Sequence, residues 1–229
     1  MPILAGLLLL MLLAVALGPQ WWVRHVLRRH GVERPDFPGT GAELARHLLD
    51  EAGLHRVKVE PTEHGDHYDP DAQAVRLLPQ HHDGRSVAAV AVAAHEVWHA
   101  VQHARGEAAF ALRWRLAGSL SWIDRVAGIL IVAAPIVFIF VKIPALFALQ
   151  LLAGFALFAS EIVFHMVTLP VELAASFSKA LPVLTRGRYL APADMPAARS
   201  VLTAAAWTYV AAALATLLNV ARWFRVFRS

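Results

Sequence analysis

Residues 86–105, SVAAVAVAAHEVWHAVQHAR, decide how the rest of the chain is read. The stretch is rich in Ala and Val, lacks Pro and Gly, and opens on Ser86, a side chain suited to capping a helix N-terminus. On such a helix His95 and His99 share one face at i and i+4, about 6 Å apart along the axis. Both imidazoles can then converge on one small cation, and zinc accepts imidazole nitrogen readily. Glu96, beside the first histidine, is placed to take a proton from water during attack on a carbonyl. The pattern predicts a zinc site with His95 and His99 as ligands and Glu96 as catalytic base.

This helix lies within a polar region, roughly 19–115, large enough for a small domain but marginal as an independent core. Gly39-Thr40-Gly41 leads into an amphipathic helix, Ala42 to Ala52, with Leu44, Leu48 and Leu49 on one face. Val57-Lys58-Val59-Glu60 and Ala74-Val75-Arg76-Leu77 read as two short strands. His64 to Asp71 reads as the turn between them. A helix–strand–strand–helix order with the histidine pair on the second helix suits a compact metallopeptidase core.

The surroundings are apolar. The chain of 229 residues is 58% hydrophobic, with a mean hydropathy of +0.51, too apolar for an ordinary soluble domain of this size. Ile3 to Leu17 is uncharged, and its basic cluster (Arg24, Arg28, Arg29) follows it. That order predicts a retained span over 1–18 rather than a cleaved leader. Val126 to Val141 and Ala145 to Leu169 are apolar again, interrupted by Lys142-Ile143-Pro144. They predict a transmembrane hairpin over 116–171, with Asp124 and Arg125 paired near its surface. Val201 to Ala221 supplies a fourth span, and 222–229 a basic tail with Arg222, Arg225 and Arg228. The expected fold is a mainly α membrane protein with about four transmembrane helices around a small α+β metallopeptidase core.

A zinc hydrolase normally adds a third protein ligand and leaves one position open. The chain has no Cys, so that ligand is His, Asp or Glu. His103 continues the i, i+4 series but lies about 12 Å along the helix from His95, too far to share a metal. Glu161 and His165 share a face inside the third span and are read as a pair satisfying itself. Glu172 stands two residues past Pro170, where that span should leave the bilayer, on the histidine side of a hairpin. Topology selects Glu172, opening a third-ligand helix and loop over 172–200. His64, His67, His81 and His82 lack helical spacing and are read as solvated. Trp98 is read as a core or interface aromatic.

Tyr68-Asp69-Pro70 with Val75-Arg76-Leu77, Gly84-Arg85-Ser86, Val92 to Val97, and Thr168-Leu169-Pro170-Val171-Glu172 together resemble the bacterial membrane neutral zinc metallopeptidases of the YugP type. The resemblance runs from about residue 20 to the fourth apolar segment. It implies a zincin-like core with a gluzincin-like site: His95, His99 and Glu172 on zinc, and Glu96 as base. Two positions depart from the family pattern. Trp98 stands where the family usually has Gly, and Ala174 where it usually has Asp, a possible hydrogen-bond partner for a ligand histidine. Ser176 remains able to hydrogen-bond near the site.

The function expected is therefore an integral-membrane zinc endopeptidase acting on polypeptides near the bilayer. A metal-dependent hydrolase of a non-peptide acyl substrate and a non-catalytic membrane scaffold are the alternatives, and intact Glu96 argues against the scaffold. The formal charge of +4 and pI near 10.0 do not call for nucleic acid, because the Arg residues are scattered along membrane flanks. Of the 21 Lys and Arg, only Lys142, Arg222, Arg225 and Arg228 fall across the membrane from the histidine helix. That bias predicts a plasma-membrane protein with a cytoplasmic site.

Overall fold

The computed structural model describes residues 2–226. Within them it omits the side chains of residues 2–10, 12, 13, 15, 16, 121, 124, 158, 161, 209 and 212–226. Asp124, Glu161 and the arginines of the basic tail therefore lie outside the described side chains. The chain forms two compact units, one of Trp21–Ala111 with Leu169–Thr208, the other of the remaining described residues.

The first unit carries the histidine helix. The last turns of α1 (Pro2–His30) contribute buried Val23 and Val26. Helix α2 (Gly41–Glu51) begins in a capping box: Thr40 accepts from the Glu43 backbone N–H, and Glu43 accepts from that of Thr40. Its buried face is Ala45, Leu48 and Leu49, each leucine contributing about 1.5–3 kcal/mol by leaving water. The start of α2 needs Gly41, because a Cβ there would lie 2.1 Å from the His81 carbonyl oxygen and 3.0 Å from that of Ala89.

Three strands follow rather than two: β1 (Lys58–Pro61), β2 (His67–Asp69) and β3 (Ala74–Leu77), in the order β1-β3-β2. β1 runs parallel to β3 with Val59 opposite Val75, and β2 antiparallel with Tyr68 opposite Val75. The segment expected to be only a turn is thus partly strand. Tyr68 buries its ring, and Asp69 ties the hairpin by accepting from the Asp71 and Ala72 backbone and pairing with Arg76 at 2.7 Å. A short helix, α3 (Pro79–His82), carries His81, which is buried against Asp66 at 2.8 Å and not solvated as expected. Asp66 also accepts from the Leu78 N–H, so the histidine fastens the β1–β2 loop to the end of the sheet.

Helix α4 (Val87–Ala104) is capped by Ser86, whose hydroxyl accepts from the Ala89 N–H. It is buried almost all round, among α2, α3, the sheet and the π segment described below. Its alanines explain how: Ala88, Ala89, Ala91, Ala93 and Ala94 are wholly buried, and side chains this small admit close neighbours on every side. The unit is completed beyond α5 (Ala108–Val141) by the end of α6 (Pro144–Leu173), a π-helical segment (Ala174–Ala180), α7 (Leu181–Arg186) and the first turns of α8 (Met195–Val226). Val201, Leu202 and Ala204 sit fully buried in this core. The expected fourth span therefore begins as core packing, which an Ala/Val/Leu composition serves equally well.

In the second unit, α5 and α6 form a hairpin whose turn sits at Lys142, with φ 55°, and whose second helix starts on Pro144. Gly154 meets Ile131 so closely that an added Cβ would lie 2.5 Å from its side chain. Ala127 and Ala134 flank that contact, and small residues of this kind let membrane helices approach. Outward-facing side chains are large and apolar: Phe140 is 81% exposed and Leu152 67%. Among the described residues two helices are long and apolar enough to cross a membrane, Ala108–Val141 and Pro144–Arg186, rather than four.

Candidate metal centre

His95 and His99 project from the middle of α4, and Glu172 from the last turn of α6. All three are buried, with relative exposures of 3%, 3% and 1%. His95 Nε2 lies 3.1 Å from Glu172 Oε2, His99 Nε2 3.2 Å from His95 Nε2, and His99 Nε2 3.5 Å from the same carboxylate oxygen. Two ligands about 2.05 Å from a tetrahedral zinc are separated by about 3.3 Å. The three observed separations bracket that value.

The far side of each imidazole decides where its proton is. His99 Nδ1 lies 2.9 Å from Gln102 Oε1, a carbonyl oxygen that can only accept, so Nδ1 donates. His95 Nδ1 lies 3.1 Å from Ser176 Oγ, whose own hydrogen goes to the Leu202 carbonyl at 3.1 Å. Ser176 therefore accepts from His95. With both protons on Nδ1, both Nε2 lone pairs face the carboxylate oxygen. Three buried electron-pair donors repel one another unless a cation lies among them. Donor type, spacing and protonation all fit a zinc ion.

Glu96 is buried on the same helix, 7% exposed, and its carboxylate makes no hydrogen bond or ion pair with any described residue. His103 is turned to the sheet, where its Nδ1 lies 2.9 Å from the Tyr68 hydroxyl and its ring stacks on Phe110. Burial pushes the Tyr68 phenol up to about 12, so it stays protonated. His165 lies in α6 edge-on to Phe164, apart from the three-residue cluster. Trp98 is half-buried, with Arg105 and Lys179 each 5.7 Å from its ring centre.

Gln102 was not among the residues anticipated from sequence. Its signal was present, i+3 from His99 on the metal face, but an amide carries no metal chemistry of its own. Ser176, two residues past Ala174, gives His95 its hydrogen-bond partner. It reaches His95 from a segment wound with i→i+5 bonds, one of which runs from the Leu181 N–H to the Ser176 carbonyl. π-Helical turns are rare and concentrate at functional sites.

A family model described as "Putative neutral zinc metallopeptidase" matches residues 5–228. The protein named "Putative membrane protease YugP" from Bacillus subtilis (strain 168) is 35% identical over 228 residues, covering 96% of this chain and 97% of its own. No solved structure matches the chain.

Proposed function

Because the chain belongs to this family of neutral zinc metallopeptidases, we propose that it is an integral-membrane endopeptidase using one zinc ion to hydrolyse peptide bonds. The observation that carries the reading is the triangle of His95 Nε2, His99 Nε2 and Glu172 Oε2, buried and spaced as zinc ligands are. Zinc, when bound, supplies a Lewis acid that polarises the scissile carbonyl and acidifies water.

The chain's own residues do the rest. His95, His99 and Glu172 hold the ion. Gln102 and Ser176 keep each imidazole turned with its lone pair inward. Glu96, uncommitted to any described partner, accepts the proton of the attacking water and returns it to the departing amine. Burial excludes bulk water and strengthens each of these interactions.

The exposed apolar faces of α5 and α6 support a bilayer setting, since side chains such as Phe140 and Leu152 would otherwise lie in water. The bias of Lys and Arg toward the histidine side supports a cytoplasmic site, with Arg24, Arg28 and Arg29 as its strongest part. Glu96→Gln tests the chemistry. The variant should keep about one zinc per chain yet lose 10²- to 10⁴-fold in peptide cleavage. Equal turnover by variant and parent, in matched detergent and with chelator controls, refutes the role of Glu96.

A further inference from the structure

The last turns of α1 carry charge on one side only. At about 100° per residue, Val23, Val26, Leu27 and His30 fall on one arc, and these are its buried or half-buried positions. Trp21, Trp22, Arg24, His25, Arg28 and Arg29 fill the opposite arc, about 160° wide, and all six are exposed. His25 lies flat on Trp21, with ring centres 5.3 Å apart. Among the described residues none of the three arginines forms a salt bridge. The nearest acids along the chain are committed elsewhere: Glu33 accepts from the Arg85 N–H, and Asp36 pairs with Arg34 at 2.6 Å. Burial first, and then Arg29 and His25, lower the pKa of His30, as an uncompensated cationic face should.

Position along the helix axis says what would meet this charge. In α1 no charged side chain precedes Arg24, and residues 2–23 amount to about 33 Å of helix against a hydrocarbon core of about 30 Å. Trp21 and Trp22 then stand where the hydrocarbon ends, the depth at which indoles collect. Arg24 stands at the headgroups, and Arg28 and Arg29, about 6–8 Å further on, remain within a Debye length of about 8 Å. Helical Cα–Cβ bonds tilt toward the N-terminus, which turns the arginine stems back toward the bilayer. A guanidinium fork matches the oxygens of a phosphate. We propose that this arc binds the headgroups of anionic phospholipids and gathers them around the end of α1. The inference rests on the bilayer setting proposed above and adds the class of lipid.

The test uses the full-length protein reconstituted in phosphatidylcholine vesicles holding a minor share of phosphatidylglycerol. His25→Cys, unique in a chain without cysteine, carries a fluorophore among the arginines. In one arm a nitroxide quencher sits near the top of the phosphatidylglycerol acyl chain, and in the other the same mole fraction of phosphatidylcholine carries it. Quenching should report a local share of phosphatidylglycerol roughly fivefold above the bulk, the factor for one cation held at an anionic surface, and the excess should shrink at high salt. Arg24→Gln, Arg28→Gln and Arg29→Gln together should abolish the excess, whereas the same three positions changed to Lys should keep most of it. Equal quenching by the two lipids overturns the proposal and leaves the bilayer setting standing. Quenching by neither takes the end of α1 away from a bilayer and overturns both. An excess that survives the triple Gln change, with circular dichroism unaltered, belongs to other residues and also overturns the proposal.

Discussion

Removing one hydroxyl, in Ser176→Ala, should weaken zinc binding without touching a ligand. The hydroxyl holds the His95 proton on Nδ1, and its loss frees that proton to move to Nε2. There the Glu172 carboxylate waits at 3.1 Å. A hydrogen bond to a charged group contributes about 1.5–3 kcal/mol. It would stabilise the metal-free protein and oppose zinc by that amount. At about 1.4 kcal/mol per tenfold, affinity should fall roughly 10- to 150-fold. Gln102→Leu should act in the same direction on His99 but less, because His99 Nε2 stands farther from the carboxylate, at 3.5 Å. Competition with a chromophoric chelator at neutral pH measures both constants. A Ser176→Ala protein that keeps its circular dichroism and binds zinc within about twofold of the parent would refute the proton assignment.

Three further outcomes are expected. His99→Ala should empty the site while His103→Ala keeps its zinc, since His103 faces Tyr68; elemental analysis of the purified variants separates the two. Gly41→Ala should lower stability by about 1–3 kcal/mol, read as a lower chemical-denaturation midpoint, because its Cβ would press on the His81 carbonyl, which cannot yield as a flexible side chain would. The parent has no cysteine, so single cysteines report orientation: one at position 83 should be shielded from an impermeant reagent in whole cells and one at position 143 should react. The opposite pattern would put the site outside the cell.

The parts of the site that local periodicity encodes were legible. His95 and His99 announce themselves by four-residue spacing within one helix, and Ser86 by its place at the helix start. Glu172 lies 77 residues from His95 and could be reached only by following the hydrophobic segments and asking which acid emerged on the correct side. Ser176 is legible as a nearby hydrogen-bonding group but its partner His95 is not, because a π turn leaves no mark in composition. His81 looked like a loop histidine because its burial depends on Asp66, 15 residues away, in a turn with no periodicity. Strand β2 has only three residues, too few for alternation to register. The start of the fourth apolar segment is ambiguous in sequence for a different reason: Val201, Leu202 and Ala204 satisfy a protein core and a bilayer equally, and hydropathy alone does not distinguish them.

The winding of Ala174–Ala180 bears on which changes in chain length this site can survive. In α4, deleting one residue between His95 and His99 rotates the second imidazole by about 100°, from about 40° on one side of the first to about 60° on the other, and takes it off the point where both meet Glu172. In the π segment each turn already holds a surplus residue. A single deletion between Ser176 and Ala180 can be absorbed by tightening to ordinary α winding, with Glu172 and the start of α7 kept in place. Single deletions should therefore be tolerated between Ser176 and Ala180 and excluded between His95 and His99, an asymmetry that random single-codon deletion across residues 86–186 would expose.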